Sequence, residues 1–404
     1  MDFIRKESLM GIKDCLKALI LASAGLILVS CSGSSPTNTN IQLTLKFAQT
    51  IGGEGCDVAY DIVEASDGGY VIAGATSSKG NGSWDVYLVK VDTLGAVVWD
   101  TTYGGADEDQ AFAIAPTADG GYIVTGYTNS FSVDWGDIYL IKTDADGNRQ
   151  WEYTYGTDHN QIGNDVAQSA DGGYIITGWT STSETSKAAV YMIKTEDDGD
   201  TVWTCTIDGT ESDEGNAVLA LAGGYLVAGA TASVHLRNDD LYLLRFDADG
   251  DTLWSLAVDA QGNNWAEGAA LAPDGGFVMV GWGTLGIDSG YDLYAARVSA
   301  AGSLEWQKTY GGPQYDAAFD IENTSDGGFI VVGHYGLPDY NGNRLYLVKL
   351  NGYGNEVWSQ YYGDKSCNGR GVIQDNSGAY VGVGSITDPD TEDEDIYIVR
   401  VKEE

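Results

Sequence analysis

Residues 119–156 read DGGYIVTGYTNSFSVDWGDIYLIKTDADGNRQWEYTYG, and this stretch decides the fold because it recurs along the chain. A Gly-Gly-aromatic step or a close variant begins at Gly68, Gly120, Gly172, Gly223, Gly275, Gly327 and Gly378, at spacings of 51 or 52 residues. A tyrosine keeps the same period seven times and a tryptophan six times. A period this constant indicates a repeat architecture in which each copy is one structural unit.

Each repeat predicts four short strands. In the first repeat they are Val58 to Ala65, Tyr70 to Thr76, Val86 to Val91 and Ala96 to Thr102, which are rich in β-branched and aromatic residues and separated by Gly, Asp and Ser. Nothing in the unit has a helical pattern. Four antiparallel strands per unit are typical of a propeller blade, so the sequence predicts an all-β, seven-bladed β-propeller.

The last repeat ends before a fourth strand, and the missing strand lies at the other end of the chain. Phe47 aligns with the periodic tryptophan of a fourth strand that precedes the first full repeat. We therefore predict that residues 41–50 complete the last blade and close the ring, which removes two exposed sheet edges. The six periodic tryptophans (99, 151, 203, 254, 306 and 358) are expected to pack between blades.

The N-terminal region predicts export. Four basic residues are followed by a short apolar run, Ala18 to Val29, which is too short to span a bilayer and ends in Leu28-Val29-Ser30-Cys31. This ending resembles the lipobox of bacterial lipoprotein precursors, which implies cleavage before Cys31 and lipidation of its thiol. The predicted organisation is a signal peptide (1–30), the lipidated cysteine with a flexible tether (31–40), and a propeller (41–404). A cleaved signal peptide without lipidation is the alternative.

Charge limits the choice of partners. Without residues 1–30 the chain has 17 basic and 56 acidic residues, a net charge of −39. Nucleic acid is therefore not expected as a partner, and the body is expected to be repelled by anionic lipid head groups while the lipid holds it to the membrane.

The repeats resemble those of bacterial and archaeal cell-envelope propellers, in which Asp-Gly-Gly-Tyr, Asp-x-Tyr-Leu-x-Lys, Trp and Tyr-Gly-Gly follow one another. Asp119 to Gly126, Asp137 to Asp144 and Trp151 to Gly156 carry the likeness. A more distant similarity links the Asp144, Gly147 and Trp151 spacing to quinoprotein propellers. These resemblances imply a fold and an envelope location, at the outer membrane if the organism has one and otherwise on the outer face of the plasma membrane; they assign no activity.

Three groups of residues are candidates for function on the channel face, where the loops from second to third strands and from each blade to the next lie. One is a polar ring near the channel mouth, ten residues after each tryptophan position: Asp57, Asp109, Gln161, Asp213, Asn264, Asp316 and Asn368. Such side chains cap the backbone of their own turns. The functional hypothesis is a collar of oxygens, led by the four aspartates, that binds Ca²⁺.

The second group comprises aromatic residues in variable loops, which suit sugar stacking or a protein contact unless they fold back over the blades: Trp84, Phe131, Trp135, Trp282, Tyr291, Tyr335 and Tyr340. The third is Cys56 with Cys367, which the closure argument makes neighbours and candidates for a disulfide.

Known catalytic motifs are absent from the sequence, and His159, His235 and His334 are predicted in loops of different blades. We therefore predict a non-catalytic binding or scaffold module for a protein or polysaccharide partner in the envelope, without a firmly predicted cofactor. The alternative is an envelope enzyme acting on a carbohydrate, or an oxidoreductase of quinoprotein type. A deep pocket with convergent carboxylates of raised pKa would favour the enzyme, and a broad aromatic face would favour the binding module.

Overall fold

The computed structural model describes residues 41–404 except 133–135, 158, 182–186, 235–237, 259–261, 285–289 and 338–341. The predicted signal peptide, tether and Cys31 therefore lie outside the described residues, as do Trp135, His235 and Tyr340. The described residues form 28 strands in seven four-stranded antiparallel sheets, which confirms the predicted seven-bladed β-propeller. No helix within these ranges is long and apolar enough to cross a membrane.

The blades follow the sequence repeats. Blade 1 comprises β2 (Asp57–Glu64), β3 (Tyr70–Thr76), β4 (Asp85–Val91) and β5 (Val97–Tyr103). Blade 2 comprises β6 (Asp109–Pro116), β7 (Tyr122–Thr128), β8 (Asp137–Thr143) and β9 (Arg149–Tyr155). Blade 3 comprises β10 (Gln161–Gln168), β11 (Tyr174–Ser181), β12 (Ala188–Thr195) and β13 (Thr201–Ile207). Blade 4 comprises β14 (Asp213–Leu221), β15 (Gly224–Thr231), β16 (Asp240–Phe246) and β17 (Thr252–Val258).

The remaining blades have the same plan. Blade 5 comprises β18 (Asn264–Leu271), β19 (Phe277–Gly283), β20 (Asp292–Val298) and β21 (Leu304–Tyr310). Blade 6 comprises β22 (Ala317–Asn323), β23 (Phe329–Gly336), β24 (Asn343–Leu350) and β25 (Glu356–Tyr362). Blade 7 comprises β26 (Cys367–Gln374), β27 (Tyr380–Thr387), β28 (Glu394–Glu403) and β1 (Leu43–Ile51).

The N-terminal strand closes the ring as predicted. β1 pairs antiparallel with β28, and Phe47 lies opposite Arg400, as Trp99 lies opposite Lys90 in blade 1. The apolar cluster between blades 7 and 1 contains Ile72 and Ile398 together with the partly buried Phe47. The closing seam is therefore built like the seams between the other blades. β1 covers the edge of β28 that would otherwise be unpaired.

The periodic lysines and aspartates hold the hairpins together. The Nζ of Lys349, which is buried, lies 2.9 Å from Oδ2 of Asp326 in the turn between β22 and β23. Equivalent pairs join Lys142 to Asp119 and Lys194 to Asp171. A lysine can be buried here because the aspartate, although more than half exposed, supplies the opposite charge where the side chain emerges.

Candidate ligand site at the channel mouth

A β-bulge in the innermost strand of every blade places one extra residue at the central channel. In β2 the pairing with β3 shifts between Ala59 and Asp61, so Tyr60 is the inserted residue. The corresponding positions in all seven blades line the same cavity: Tyr60, Phe112, Asn164, Asn216, Glu267, Phe319 and Arg370. We call these seven residues the bulge ring. Bulges redirect a side chain out of the regular pleat, and they are over-represented near functional sites.

The bulge ring opens into a cavity of about 310 Å³ at the channel mouth, which Trp179, Glu214 and Trp265 also line. A deeper space of about 110 Å³ continues into the channel and reaches Asp61, Asp165 and Asp320. The outer volume is at the lower end of the range for small-molecule sites. The channel mouth is therefore large enough for a small ligand or for the end of a larger one.

Arg370 is the cation of this cavity. Its guanidinium carbon lies 4.1 Å from the ring centroid of Phe319 and 5.9 Å from that of Tyr60, which are cation–π contacts. Within the described ranges, no carboxylate or carbonyl oxygen accepts a hydrogen bond from this guanidinium. Arg370 therefore presents its N–H donors to the cavity, oriented by two aromatic rings.

Two glutamates lie on the other side of the mouth. Burial, together with the charges of Glu267 and Asp239, raises the pKa of Glu214 to about 7. Burial also raises the pKa of Glu267, although the indole N–H of Trp282 donates a hydrogen bond of 3.0 Å to its Oε1 and Arg370 lies close enough to lower the pKa in part. The two carboxyl groups are sensitive to each other and to any charge that enters the cavity.

An amide chain connects three blades beside these glutamates. The side-chain amide of Asn164 donates to the backbone oxygen of Gly215 and to Oδ1 of Asn216, each at 3.0 Å. Asn216 in turn donates to the backbone oxygen of Ala266 at 2.9 Å. These bonds fix the orientation of both amides, so this wall of the cavity is preorganised.

Four aromatic rings extend from the channel mouth across blades 5 and 6. Trp265 and Trp282 are stacked with centroids 5.3 Å apart, Trp282 meets Tyr291 edge-on at 4.7 Å, and Tyr291 lies 6.0 Å from Tyr315. We call Trp265, Trp282, Tyr291 and Tyr315 the aromatic ladder. Its outer three rings line a cavity of about 260 Å³ together with Phe319 and His334.

His334 lies in β23 and not in a loop, so that prediction was wrong. Burial, with a smaller effect of the Arg370 charge, lowers the pKa of His334 to about 4. Its ring packs 5.5 Å from that of Phe319. The histidine is therefore neutral at physiological pH and forms part of the wall between the ladder and the channel.

The predicted polar ring occupies the tops of the inner strands, where its members bind their own turns. Asp109 accepts hydrogen bonds from the backbone N–H of Gly105 at 2.8 Å and from the hydroxyls of Thr128 and Ser130. Asp57, Asp213 and Asp316 are also buried, and each accepts hydrogen bonds from a nearby turn or strand end, although Oδ1 of Asp57 has no partner among the described residues. Among the described residues no group of three or more His, Cys, Asp or Glu side chains is placed to hold a metal ion. The aspartates are thus not gathered into a carboxylate cluster, and Ca²⁺ binding by the polar ring stays a prediction.

In blade 7 the alignment of the polar ring is displaced by one residue. Cys367, not Asn368, pairs with β27 in the register that Asp57 has with β3. Cys367 is buried, and its Sγ accepts the backbone N–H of Leu345 at 3.1 Å. Asn368 instead accepts a side-chain hydrogen bond from Asn343 at 3.1 Å.

The predicted disulfide is absent because of the same one-residue displacement. Cys56, Cys205 and Cys367 are free thiols. The Sγ of Cys367 faces blade 6, whereas that of Cys56 lies 3.4 Å from the backbone nitrogen of Glu394 in blade 7. The two thiols thus lie in different inter-blade seams.

The predicted aromatic face divides into two groups. Trp282 and Tyr291 belong to the aromatic ladder. Phe131 and Tyr335 fold back over their own blades, with ring centroids 5.6 Å from Tyr139 and 5.2 Å from Tyr346. Trp84 is half-buried, and its backbone bridges to Glu108 between blades 1 and 2.

Sequence reasoning missed the bulge ring, although a signal was present. Its seven positions recur at spacings of 51 or 52 residues, like the other steps of the repeat, but the residue type differs from blade to blade. A position that recurs in every repeat but varies in residue type from blade to blade indicates a functional role, because the scaffold itself does not require one residue type there. Trp179 follows the glycine of a Gly-x-Thr step, and Trp282 follows the equivalent Gly281 in Gly-Trp-Gly; this variable place is a second signal of the same kind.

Comparisons with known proteins agree with the fold. No protein-family model and no curated protein matches the chain. Among solved structures, the WD40 domain of Neurospora crassa Pan2 is similar with a TM-score of 0.52 at 11% identity, over 89% of this chain and 95% of that chain. BBS1N in complex with ARL6DN is similar with a TM-score of 0.52 at 13% identity, over 88% and 96%.

A putative oxidoreductase (glucose dehydrogenase) from Thermus thermophilus covers 89% of this chain and 99% of its own, at 12% identity and a TM-score of 0.41. Identities this low relate the fold alone, and the last score supports no argument about activity. The chain is therefore a seven-bladed β-propeller. The bulge ring and the aromatic ladder lie at one end of its channel.

Proposed function

We propose that this protein is an envelope-anchored binding module that holds a polysaccharide across the channel face of its propeller. The observation that carries the proposal is the aromatic ladder, in which four rings follow one another from the channel mouth to the rim of blades 5 and 6. Tyr315 is exposed and the other three rings are half-buried. Partly accessible rings beside amides and carboxylates suit contacts with successive sugar rings, because a pyranose has apolar faces and a polar edge.

The anchoring part of the proposal comes from the sequence. The lipobox-like ending at Cys31 and the polar tether before residue 41 support attachment to a membrane through lipid. The strongly acidic composition supports a body held away from anionic lipid surfaces, in reach of the polymers of the cell envelope. The destination is the outer membrane where there is one, and otherwise the outer face of the plasma membrane.

The test is binding of the full chain, solubilised in detergent, to envelope polysaccharide fractions by affinity electrophoresis and calorimetry. Trp282→Ala is expected to weaken binding at least tenfold, since it removes the ring that contacts both Trp265 and Tyr291. Tyr353→Ala is the matched control: it removes an aromatic ring that is 79% exposed in the turn between β24 and β25, on the opposite face. Equal binding by both variants, or no binding of any fraction, would contradict the proposal.

The same experiment distinguishes a protein partner from a polysaccharide partner. One propeller of similar fold, BBS1N, was solved in complex with ARL6DN. If no polysaccharide fraction binds, while an envelope protein binds the wild type and not Trp282→Ala, then the aromatic ladder contacts a protein. The polysaccharide proposal would then be wrong.

A second candidate function, glycoside hydrolysis, is favoured by one observation. Glu214 and Glu267 are two carboxyl groups of raised pKa at the mouth of a deep channel, and glycosidases use one carboxylic acid and one carboxylate. Incubating the same fractions with protein and measuring new reducing ends tests it. Chain shortening that Glu214→Gln abolishes would establish the enzyme, and bound but intact polysaccharide would establish the binding module.

A further inference from the structure

Opposite charges face each other across the channel mouth. Arg370 belongs to blade 7, Glu214 to blade 4 and Glu267 to blade 5. In a ring of seven, blades 7 and 4 are as far apart as two blades can be, so the cation and the first carboxyl group stand on opposite walls. All three line the cavity of about 310 Å³.

Two of these charges have no hydrogen-bond partner in the part of the chain that the structure describes. Arg370 contacts two rings and acts on Glu267 only through its charge, and Glu214 accepts no hydrogen bond. Other arginines are bonded: the guanidinium of Arg344, for example, donates to the backbone oxygens of Asn343 and Lys365. A shielded charge without a partner is costly to the folded protein, unless a ligand supplies the opposite charge.

The walls between the charges are aromatic. Tyr60 and Phe319 flank Arg370, while Phe112 and Trp265 line the same cavity. The cavity of about 310 Å³ is large enough to hold a small molecule. A matching ligand is thus charged at both ends and apolar between them.

We propose that the channel mouth binds a small zwitterion, with its carboxylate against Arg370 and its ammonium group against Glu214 and Glu267. The guanidinium fork pairs with a carboxylate through two parallel N–H···O bonds. Because the charged side chains stand on opposite walls, the two charges of the ligand are expected to be separated by several bonds. ω-Amino acids and dipeptides meet this requirement better than α-amino acids.

This site adjoins the aromatic ladder, because Trp265 lines the same cavity and Trp282 donates a hydrogen bond to Glu267. Arg370 and Glu214 are not part of the ladder, so substitutions of these two residues test the zwitterion site and leave the ladder rings in place. A purely structural role for the charges is the competing explanation: Arg370 would then serve only to offset the carboxylates of the channel.

Calorimetry of the full chain with 6-aminohexanoate and with glycylglycine tests the zwitterion site. Hexanoate and hexylamine are matched probes that lack one charge of 6-aminohexanoate, and each is expected to bind at least tenfold more weakly. Arg370→Gln and Glu214→Gln are both expected to weaken the zwitterion at least tenfold. Arg344→Gln and Glu211→Gln make the same substitutions outside the cavity and are expected to leave its affinity unchanged.

Proton release distinguishes ligand contact from a loss of folding. An ammonium group near Glu214 favours its carboxylate form, so binding at pH 7 is expected to release about half a proton, measured from the heat in buffers of different ionisation enthalpy. Glu214→Gln should lose this release, with an unchanged melting temperature. Absence of binding by both zwitterions, equal affinity for hexanoate, or full affinity in Arg370→Gln would overturn the proposal.

Discussion

The carboxylate of Asp61 accepts a hydrogen bond of 2.8 Å from the backbone N–H of Ile114, and so joins blade 1 to blade 2. Asp165 makes the same bond to Val218 at 2.7 Å, and Asp320 to Val372 at 2.8 Å. Each also accepts the N–H of the residue that follows it. Three inter-blade bonds inside the channel thus rest on buried carboxyl groups.

These carboxyl groups predict a pH-dependent stability. Burial raises the pKa of Asp165 to about 7 and that of Asp320 to about 6, and it raises that of Asp61 well above its usual value with the help of the Asp320 charge. The unfolded chain ionises them near pH 4. The folded protein therefore binds more protons between pH 4 and 7, and this contribution to stability is lost as the pH rises through that window.

Asp165→Asn tests this dependence, because the amide is neutral in both states and keeps one acceptor oxygen. The free energy of unfolding of the wild type is expected to fall between pH 5 and 7.5 more steeply than that of the variant, by up to about 1.4 kcal/mol per pH unit. Urea melts across that range measure it. Equal slopes would mean that Asp165 is already ionised at pH 5.

Asp119→Asn is the control for this experiment. Burial acts to raise the pKa of Asp119, but hydrogen bonds from Thr117 and Lys142 outweigh it and lower the pKa to about 2. Its contribution is lost only on acidification below about pH 4, so the slope between pH 5 and 7.5 should match that of the wild type.

The periodic tryptophans pack on turn glycines of the next blade, which predicts a difference between two Gly→Ala variants. Gly147 and Gly120 both have a positive φ, 77° and 86°. A Cβ on Gly147 would come within 2.9 Å of the Trp99 ring, whereas a Cβ on Gly120 meets no atom within 4 Å. Gly120→Ala is expected to cost about 1 kcal/mol of backbone strain, and Gly147→Ala about 1–3 kcal/mol more.

Chemical unfolding gives both values, and the fluorescence of Trp99 should change in Gly147→Ala alone. If the two variants lose the same stability, the tryptophan contact does not constrain the turn.

Asp109→Ala tests whether the polar ring holds turns or a cation. The variant loses the acceptor for Gly105, Thr128 and Ser130, and we expect a cost of about 2–4 kcal/mol in unfolding free energy. That cost should be the same in EDTA and in Ca²⁺. A wild type that gains stability in Ca²⁺, about 2.7 kcal/mol at 100 times the dissociation constant, and a variant that does not, would confirm the cation site.

The cysteines provide a chemical check of the register in blade 7. Thiol titration of the denatured, unreduced mature protein should find three thiols, from Cys56, Cys205 and Cys367. In the folded protein Cys367 should react slowest, because it is buried and burial raises the pKa of its thiol. A single thiol after denaturation would indicate the Cys56–Cys367 bond.

The architecture could be predicted because it depends on residues that recur. Each Asp-Gly-Gly turn and each tryptophan places one strand boundary, and the alignment of Phe47 with Trp99 places the closing strand in its correct register. Such features are local in sequence and repeated. A strand boundary that is ambiguous in one repeat can therefore be assigned from the other repeats.

The site could be predicted only in part, because it depends on a register within single strands. The loop between β25 and β26 is one residue shorter than the loop between β1 and β2, so Cys367, and not Asn368, is the counterpart of Asp57. A displacement by one residue changes the direction of a side chain, since successive residues of a strand face opposite ways. His334 was assigned to a loop, but it is the counterpart of Ala75 of blade 1, and both lie inside the second strand of their blades.

By itself, the sequence determined the number of blades, their strands and the closure of the ring. The reason is that turn residues and apolar strands recur with one period, so each repeat forms the same unit and packs against the next. Only the tertiary structure decided which side chains meet on the channel axis. Arg370, Glu214 and Phe319 are far apart along the chain, and they line one cavity because the inner strands of all seven blades surround the channel.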